Sequence, residues 1–389
     1  MHNRGVFKRG IFKRVQPDMH HTIALFGAGK IGEAIAALFT QSGRYSVRVC
    51  DANLEQAKRI ANSWQGCTAH HLNLNDQKSI RDLLKGCSTV LSALPYSCNI
   101  AVAQVAADCD VNYADLTEDV KTTQAISHLA TSARSWFAPQ CGLAPGFISL
   151  AGAYLCTLFD SVESLKLRVG ALPMYPMNRL KYNLTWSTEG LINEYCNPCE
   201  VLAGGQLSLV PPLEGYERFT LDGVEYEAFN TSGGLGTLCS SMNGKIGNLN
   251  YKSIRYPGHR DLVHFLLHDL KFLADRETLC KIFERSLPAT TQDECLVVVE
   301  AVGMQGAKRT QKSYVSRVYH TSVGDTHFGA IQITTAAGVC GVIDLILTSD
   351  LREKSGMIRV EDIDFNKFLA NEFGKHFYDE LALAGLAGR

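Results

Sequence analysis

The chain has 389 residues, 46% hydrophobic and 20% charged, with a formal net charge of −1. This is a globular composition, long enough for two domains with sizeable cores. It excludes a basic field that would draw the whole chain to nucleic acid and an acidic solvating tail, and no apolar stretch reads as long and uninterrupted enough to span a bilayer. The 13 cysteines are scattered and odd in number, and no secretory signal peptide is read before them. They read as reduced thiols packed as small apolar side chains, in a cytoplasmic protein. Cys196-Asn197-Pro198-Cys199 has metal or redox spacing, but no second Cys or His pair lies near it, so no metal site is expected.

Residues 1–18 are basic and partly apolar, and Arg4-Gly5-Val6-Phe7-Lys8 nearly repeats as Arg9-Gly10-Ile11-Phe12-Lys13. Because Met19 leads straight into the first strand, this extension is read as disordered or mis-started and is set apart from the fold. Residues 22–145 then alternate strand and helix, within a first domain expected over 19–146. Strands are expected at 22–26, 45–50, 67–72, 88–93, 111–114 and 136–140, and helices at 30–41, 53–63, 76–85, 98–109 and 119–133. Such alternation with short connections predicts a doubly wound parallel sheet of the Rossmann type.

Within it, the run Ile23-Ala24-Leu25-Phe26 is followed by Gly27-Ala28-Gly29-Lys30-Ile31-Gly32 and then by a helical run. Each glycine has a mechanical task. Gly27 allows a sharp turn off the strand, Gly29 lets a pyrophosphate approach the backbone, and Gly32 lets the helix pack on the sheet. The free N–H groups of the helix start, including those of Lys30 and Ile31, face the phosphates. The second strand ends at Asp51, where a carboxylate accepts from both ribose hydroxyls and repels a 2′-phosphate. Ala52 and Asn53 follow it, with no arginine to receive such a phosphate, so the expected cofactor is NAD. The loop after the third strand makes Asn75 a candidate adenine contact, and either Asn75 or Asp76 a cap for the next helix. Leu94 and Pro95, just past the fourth strand, are expected to border the nicotinamide.

From about residue 147 the texture changes. A helix over 147–159 is followed by alternating runs beginning at 164–169 and recurring at 180–187, 224–229, 294–304 and 313–321, with helical runs at 259–274 and 276–286. These predict an α+β domain with a mixed sheet over residues 147–325, serving as substrate wall and dimerisation surface. Residues 326–389 offer helices near 328–347 and 364–373 that pack back on the first domain. A homodimer or homotetramer is expected.

Several stretches resemble the saccharopine dehydrogenase-like family, and more closely its lysine 6-dehydrogenase branch. They are Tyr113-Ala114-Asp115-Leu116, Gly142-Leu143-Ala144-Pro145-Gly146, Val169-Gly170-Ala171-Leu172-Pro173, the segment from Tyr182 through Trp186-Ser187-Thr188-Glu189-Gly190-Leu191 to Tyr195, and Arg255-Tyr256-Pro257-Gly258-His259. The resemblance implies NAD-dependent oxidation of a carbon–nitrogen bond of a small amino acid. In the lysine branch the ε-amine carbon loses hydride and ammonia is released. A saccharopine or carboxynorspermidine type of enzyme is the alternative and needs a second carboxylate clamp. A protein that senses NAD without turnover is a further alternative.

An ammonium of pKa roughly 10.4 must shed a proton before hydride can leave, so a base must reach the nitrogen. Asp115, at a strand's carboxyl end, is the first candidate and His259 the second, as a proton relay. A substrate α-carboxylate needs a cation, and Arg255 is the candidate, with Arg179 and Lys181 competing. Glu189 is a candidate partner for an α-ammonium, Trp186 for the methylene chain, and Tyr182 is a further contact.

Overall fold

The computed structural model describes residues 20–378 and Leu383. The basic extension expected at 1–18 lies outside the described residues. The first domain runs β1 (His21–Phe26), α1 (Lys30–Gln41), β2 (Tyr45–Asp51), α2 (Leu54–Ser63), β3 (Cys67–His71), α3 (Gln77–Leu84), β4 (Thr89–Ser92), α4 (Tyr96–Asp108), β5 (Asn112–Asp115), α5 (Val120–Ala130) and β6 (Trp136–Ala138). All six strands are parallel, and the order in space is β6-β5-β4-β1-β2-β3. The strand order therefore reverses between β1 and β4, and a crevice opens there at the carboxyl ends of the strands. Nearly every residue of β1 and β4 is buried, as expected when helices cover both faces of a parallel sheet. Side-chain caps start the flanking helices: Asn53 for α2, Asp76 for α3 and Asp119 for α5.

The second domain begins with α6 (Phe147–Cys156) and β7 (Ser161–Pro173), followed by α7 (Thr188–Cys196), β8 (Cys199–Ala203), β9 (Gln206–Val210), β10 (Glu217–Leu221), β11 (Val224–Asn230), α8 (Leu238–Met242), β12 (Ile246–Arg255), α9 (His259–His264), α10 (Arg276–Ser286), β13 (Asp293–Gln305) and β14 (Lys308–Tyr319). Its mixed sheet has the order β10-β11-β12-β7-β13-β14, with β8 joined to β12 and β9 to β8. Only the β12–β7 pairing is parallel. The long β7 and β13 pair along almost their whole length and form the spine of the sheet. After a short hairpin, β15 (Thr321–Val323) and β16 (Thr326–Phe328), the chain returns as α11 (Ala330–Thr348). Then β17 (Gly356–Met357) adds a seventh parallel strand beside β6, and α12 (Phe365–Ala370) follows.

Three expectations need correction. Residues 180–187 are not a strand, because Lys181 takes φ +51° and only Leu184 makes an isolated bridge, to Ala289. The alternating Leu180, Tyr182, Leu184 and Trp186 instead pack an irregular segment into a small core with α7 and α10. The helix expected over 259–274 divides into α9, a π turn at Phe265–Asp269 and a 3₁₀ turn at Phe272–Ala274. By length and composition α11 is apolar enough to cross a membrane, contrary to the reading of the sequence, but 83% of its apolar window is buried. It packs on α1 and β13, and Asp344 on it accepts hydrogen bonds from Arg44 and Tyr45 beside β2.

Candidate active site

The glycine turn between β1 and α1 has the shape of a phosphate cradle. Gly27 takes φ +109°, and a Cβ there would stand 2.7 Å from the Ala93 carbonyl oxygen. A Cβ on Gly32 would come within 2.0 Å of the Gly27 carbonyl oxygen, so both positions are closed to side chains. Gly29 differs, since a Cβ there would meet nothing within 4 Å. The space over Gly29 is open, and no side chain caps the helix start behind it. Asp51, at the end of β2, accepts from the Ala28 N–H at 2.7 Å with one oxygen and from the Asn53 N–H at 2.8 Å with the other. It thereby ties the glycine turn to β2 and keeps lone pairs for a ribose. An open backbone cradle at an uncapped helix start, with a carboxylate at the ribose position, fits a nicotinamide dinucleotide. When bound, that cofactor supplies the hydride acceptor. Lys30 is exposed at the first turn of α1, and Ile31 turns toward the cavity. Asn75 is exposed in the turn after β3, donating its N–H to Asn73, and the cap of α3 is Asp76.

Beyond the cradle lies a cavity of about 320 Å³. One wall comes from the first domain: Leu94 and Pro95 after β4, Leu116, Thr117 and Glu118 after β5, and the Gly142–Pro145 turn. The opposite wall comes from the second: Trp186, Ser187, Glu189 and Glu194 around α7, Val169 and Ala171 on β7, and Tyr251, Ser253 and Arg255 on β12. Residues of β7 and β12 two apart share a face, which is why 169 and 171, and 251, 253 and 255, line the cavity together. Gly190 lets α7 come close, because a Cβ there would lie 2.5 Å from the Trp186 ring and 3.1 Å from a Glu118 carboxylate oxygen.

Arg255 is buried and held from behind. Its Nε donates to the Tyr195 hydroxyl at 3.0 Å and its Nη1 to the Ile254 carbonyl at 2.8 Å, while the guanidinium lies 5.1 Å from the Tyr182 ring centre. The other guanidinium nitrogen, Nη2, makes no hydrogen bond among the described residues. His259 lies behind Tyr195 and does not line the cavity. Its Nδ1 is 2.8 Å from the Leu180 carbonyl, which can only accept, so the ring proton sits on Nδ1. Nε2 then accepts from the Tyr195 hydroxyl at 3.0 Å. Burial and then the Arg255 charge push the ring's pKa down to about 3, so it stays neutral. The expectation of a proton relay facing substrate is corrected: His259 positions Tyr195, and through it Arg255. Tyr182 is likewise a support and not a lining residue, with its hydroxyl accepting from Trp186 Nε1 at 3.2 Å.

Asp115 is also corrected. It is fully buried, and its carboxylate accepts from Tyr113 Oη at 2.7 Å and from the N–H groups of Thr117 (3.0 Å) and Gln140 (2.9 Å). Burial pushes it up to about 6 against those bonds, but it lines no part of the cavity and ties the ends of β5 and β6 together. Two carboxylates that the sequence reading passed over do face the cavity. Burial pushes Glu118 up to about 7, against a bond from its own backbone N–H and with the charges of Asp119, Asp115 and Glu189 adding. Glu194 is only 6% exposed, and its carboxylate accepts no hydrogen bond among the described residues. Burial pushes it up to about 8, with Arg255 opposing and Glu118 adding. Glu189, by contrast, is exposed at the rim. A signal for Glu194 was present in the sequence: it lies four residues after Gly190, on the same face of α7.

A dinucleotide cradle opening on a two-walled cavity, mostly apolar with a few charged side chains, is the arrangement of a nicotinamide-dependent oxidoreductase. Residues 142–386 match the saccharopine dehydrogenase C-terminal domain and residues 23–137 the saccharopine dehydrogenase NADP binding domain. The chain belongs to the saccharopine dehydrogenase family. Among solved structures it is similar to the apo saccharopine dehydrogenase (L-Glu forming) from Saccharomyces cerevisiae, at 16% identity and a TM-score of 0.73, over 91% of this chain and 97% of that one. At that identity the likeness is one of fold. C. glutamicum DAP dehydrogenase in complex with DAP is similar at 9% identity and a TM-score of 0.48, over 92% of this chain and 98% of that one.

Proposed function

We propose that the protein oxidises the terminal carbon–nitrogen bond of a diamino monocarboxylic acid, with lysine as substrate, NAD as oxidant and ammonia as a product. The observation that carries this reading is the charge inventory of the cavity. Among its described lining residues Arg255 is the only cation, against Glu118, Glu189 and Glu194. A substrate with one carboxylate and two amines complements that set. Saccharopine carries several carboxylates and would meet a single guanidinium, which weighs against the saccharopine alternative.

Arg255 receives the α-carboxylate through its open edge, since a guanidinium pairs with carboxylate in a fixed planar geometry. Glu194, on the same wall, takes the α-ammonium. Trp186 borders the methylene chain, and the ε-amine reaches toward the β5 wall. Support for NAD over NADP comes from the end of β2. Asp51 would meet the ribose hydroxyls there, and the Asn53 side chain is committed to the N–H groups of Glu55 and Gln56. Of the nearby cations, Arg59 grips Glu33 with two bonds of 2.7 and 2.9 Å, and Lys58 pairs with Glu55 at 2.9 Å.

The test is a panel of amines incubated with each cofactor, reading reduced cofactor and nitrogen product together. Lysine with NAD is expected to give reduced cofactor and ammonia. Glutamate from saccharopine with no reaction of lysine would overturn the substrate reading, and tight NAD binding with no amine-dependent reduction would favour a sensor.

A further inference from the structure

We infer that Glu118 is the proton acceptor for the reacting nitrogen, an assignment that rests on the amine-oxidising function proposed above. Every other carboxylate or imidazole that the sequence or the cavity offers is committed elsewhere. Asp115 is fully buried behind three hydrogen bonds. His259 is bonded at both ring nitrogens and faces away from the cavity. Glu189 stands at the exposed rim. Glu194 lies on the wall of Arg255, with which it is electrostatically coupled, and is suited to the amino-acid head group. Glu118 alone among the cavity's carboxylates follows directly from a carboxyl end of the parallel sheet, on the wall beside which a nicotinamide binds.

Two glycines make its seat. A Cβ on Gly190 would approach a Glu118 carboxylate oxygen to 3.1 Å, and one on Gly233 would approach the Glu118 carbonyl oxygen to 2.6 Å. Apart from its own backbone N–H, the carboxylate accepts no bond among the described residues, which leaves lone pairs for a ligand. Its raised proton affinity suits the task, because a base works best when its pKa lies near the working pH.

The substrate ammonium gives one proton to the Glu118 carboxylate, leaving a neutral amine. The carbon then loses its C–H electron pair as hydride to the oxidised nicotinamide dinucleotide, and a C=N bond forms. Glu118 passes its proton to solvent. The ionised carboxylate next takes a proton from water as the oxygen bonds to the iminium carbon, and returns that proton to nitrogen. The C–N bond breaks as the hydroxyl proton leaves, and the products are an aldehyde and ammonium. Overall, substrate ammonium, oxidised cofactor and water give aldehyde, ammonium, reduced cofactor and one proton.

The experiment compares wild type with Glu118→Gln and Glu118→Asp. Glu118→Gln is expected to lower kcat on lysine at least about 100-fold while NADH affinity stays close to wild type and the melting temperature does not fall. The wild-type kcat/KM is expected to rise with pH through a midpoint near 7, an inflection that Glu118→Gln removes and Glu118→Asp retains with part of the activity. A readout independent of turnover is lysine binding to the protein–NADH complex, followed by calorimetry in buffers of different ionisation enthalpy. Wild type is expected to release protons on binding near pH 7, and Glu118→Gln fewer. An active wild type whose pH profile and kcat survive Glu118→Gln would overturn the assignment and leave the proposed function standing. A wild type that binds NADH yet oxidises no amine would overturn both.

Discussion

Glu194→Gln is expected to change how the stability of the protein depends on pH. Glu194 is buried, its carboxylate accepts no hydrogen bond among the described residues, and it is pushed from 4.5 up to about 8. A carboxyl that holds its proton more tightly when folded stabilises the fold at acid pH. Its contribution is complete below about 4.5 and is lost as pH rises through about 8. Between those limits the folded chain binds more protons than the unfolded one, so stability falls by a little over 1 kcal/mol per pH unit, roughly 3–5 kcal/mol in all. Glutamine keeps the shape and does not titrate. The variant is therefore expected to melt with wild type near pH 5 and several degrees above it near pH 9. Thermal unfolding of both proteins at half-unit steps of pH measures the difference. A difference between the two proteins that is constant with pH would refute the burial argument. Adding lysine at pH 8 is expected to stabilise wild type more than the variant, since a bound ammonium relieves the unpaired charge.

Two further outcomes follow from the cradle and from the support of Arg255. Asp51→Asn keeps an acceptor for the Ala28 N–H but removes the charge, so NAD affinity is expected to fall roughly 10-fold while NADP affinity falls less or rises. Fluorescence titration with each reduced cofactor reads this, and an equal loss for both would remove Asp51 from cofactor selection. Tyr195→Phe removes the acceptor for Arg255 Nε and the donor to His259, at about 1–3 kcal/mol for a buried charge-assisted contact. KM for lysine is expected to rise roughly 10-fold or more with NADH affinity unchanged, and an unchanged KM would mean that Arg255 is held without Tyr195.

The first domain was legible because its signals are local. Strand-helix alternation, the spaced glycines and Asp51 are each written within a few residues of one another. The second domain was harder to read. Asp222 and Gly223, at φ +50° and +79°, close the hairpin between β10 and β11, and an Asp-Gly pair is a strong local hairpin signal there. Residues 180–187 alternate like a strand because their apolar side chains fill a core from an irregular backbone, and period alone does not separate the two. In the site, Arg255 and Trp186 lie within recognisable sequence patterns and line the cavity. Asp115 and His259 have the right chemistry for a base, yet Asp115 is committed by its neighbours Tyr113 and Thr117 and by Gln140 past β6, and His259 by Tyr195 on α7 and the Leu180 carbonyl, contacts that only the folded chain completes. Glu118 and Glu194 take their character from burial and from missing partners, which are properties of the folded chain.

The central claim is that an amine held in the cavity gives up hydride from its terminal carbon. Lysine carrying deuterium on the ε-carbon, incubated with the protein and NAD, tests it most directly. The expected result is deuterium in the reduced cofactor, with unlabelled cofactor when the deuterium is placed on the α-carbon. Label arriving from the α-carbon, or no reduced cofactor from either substrate while NADH still binds, would contradict it.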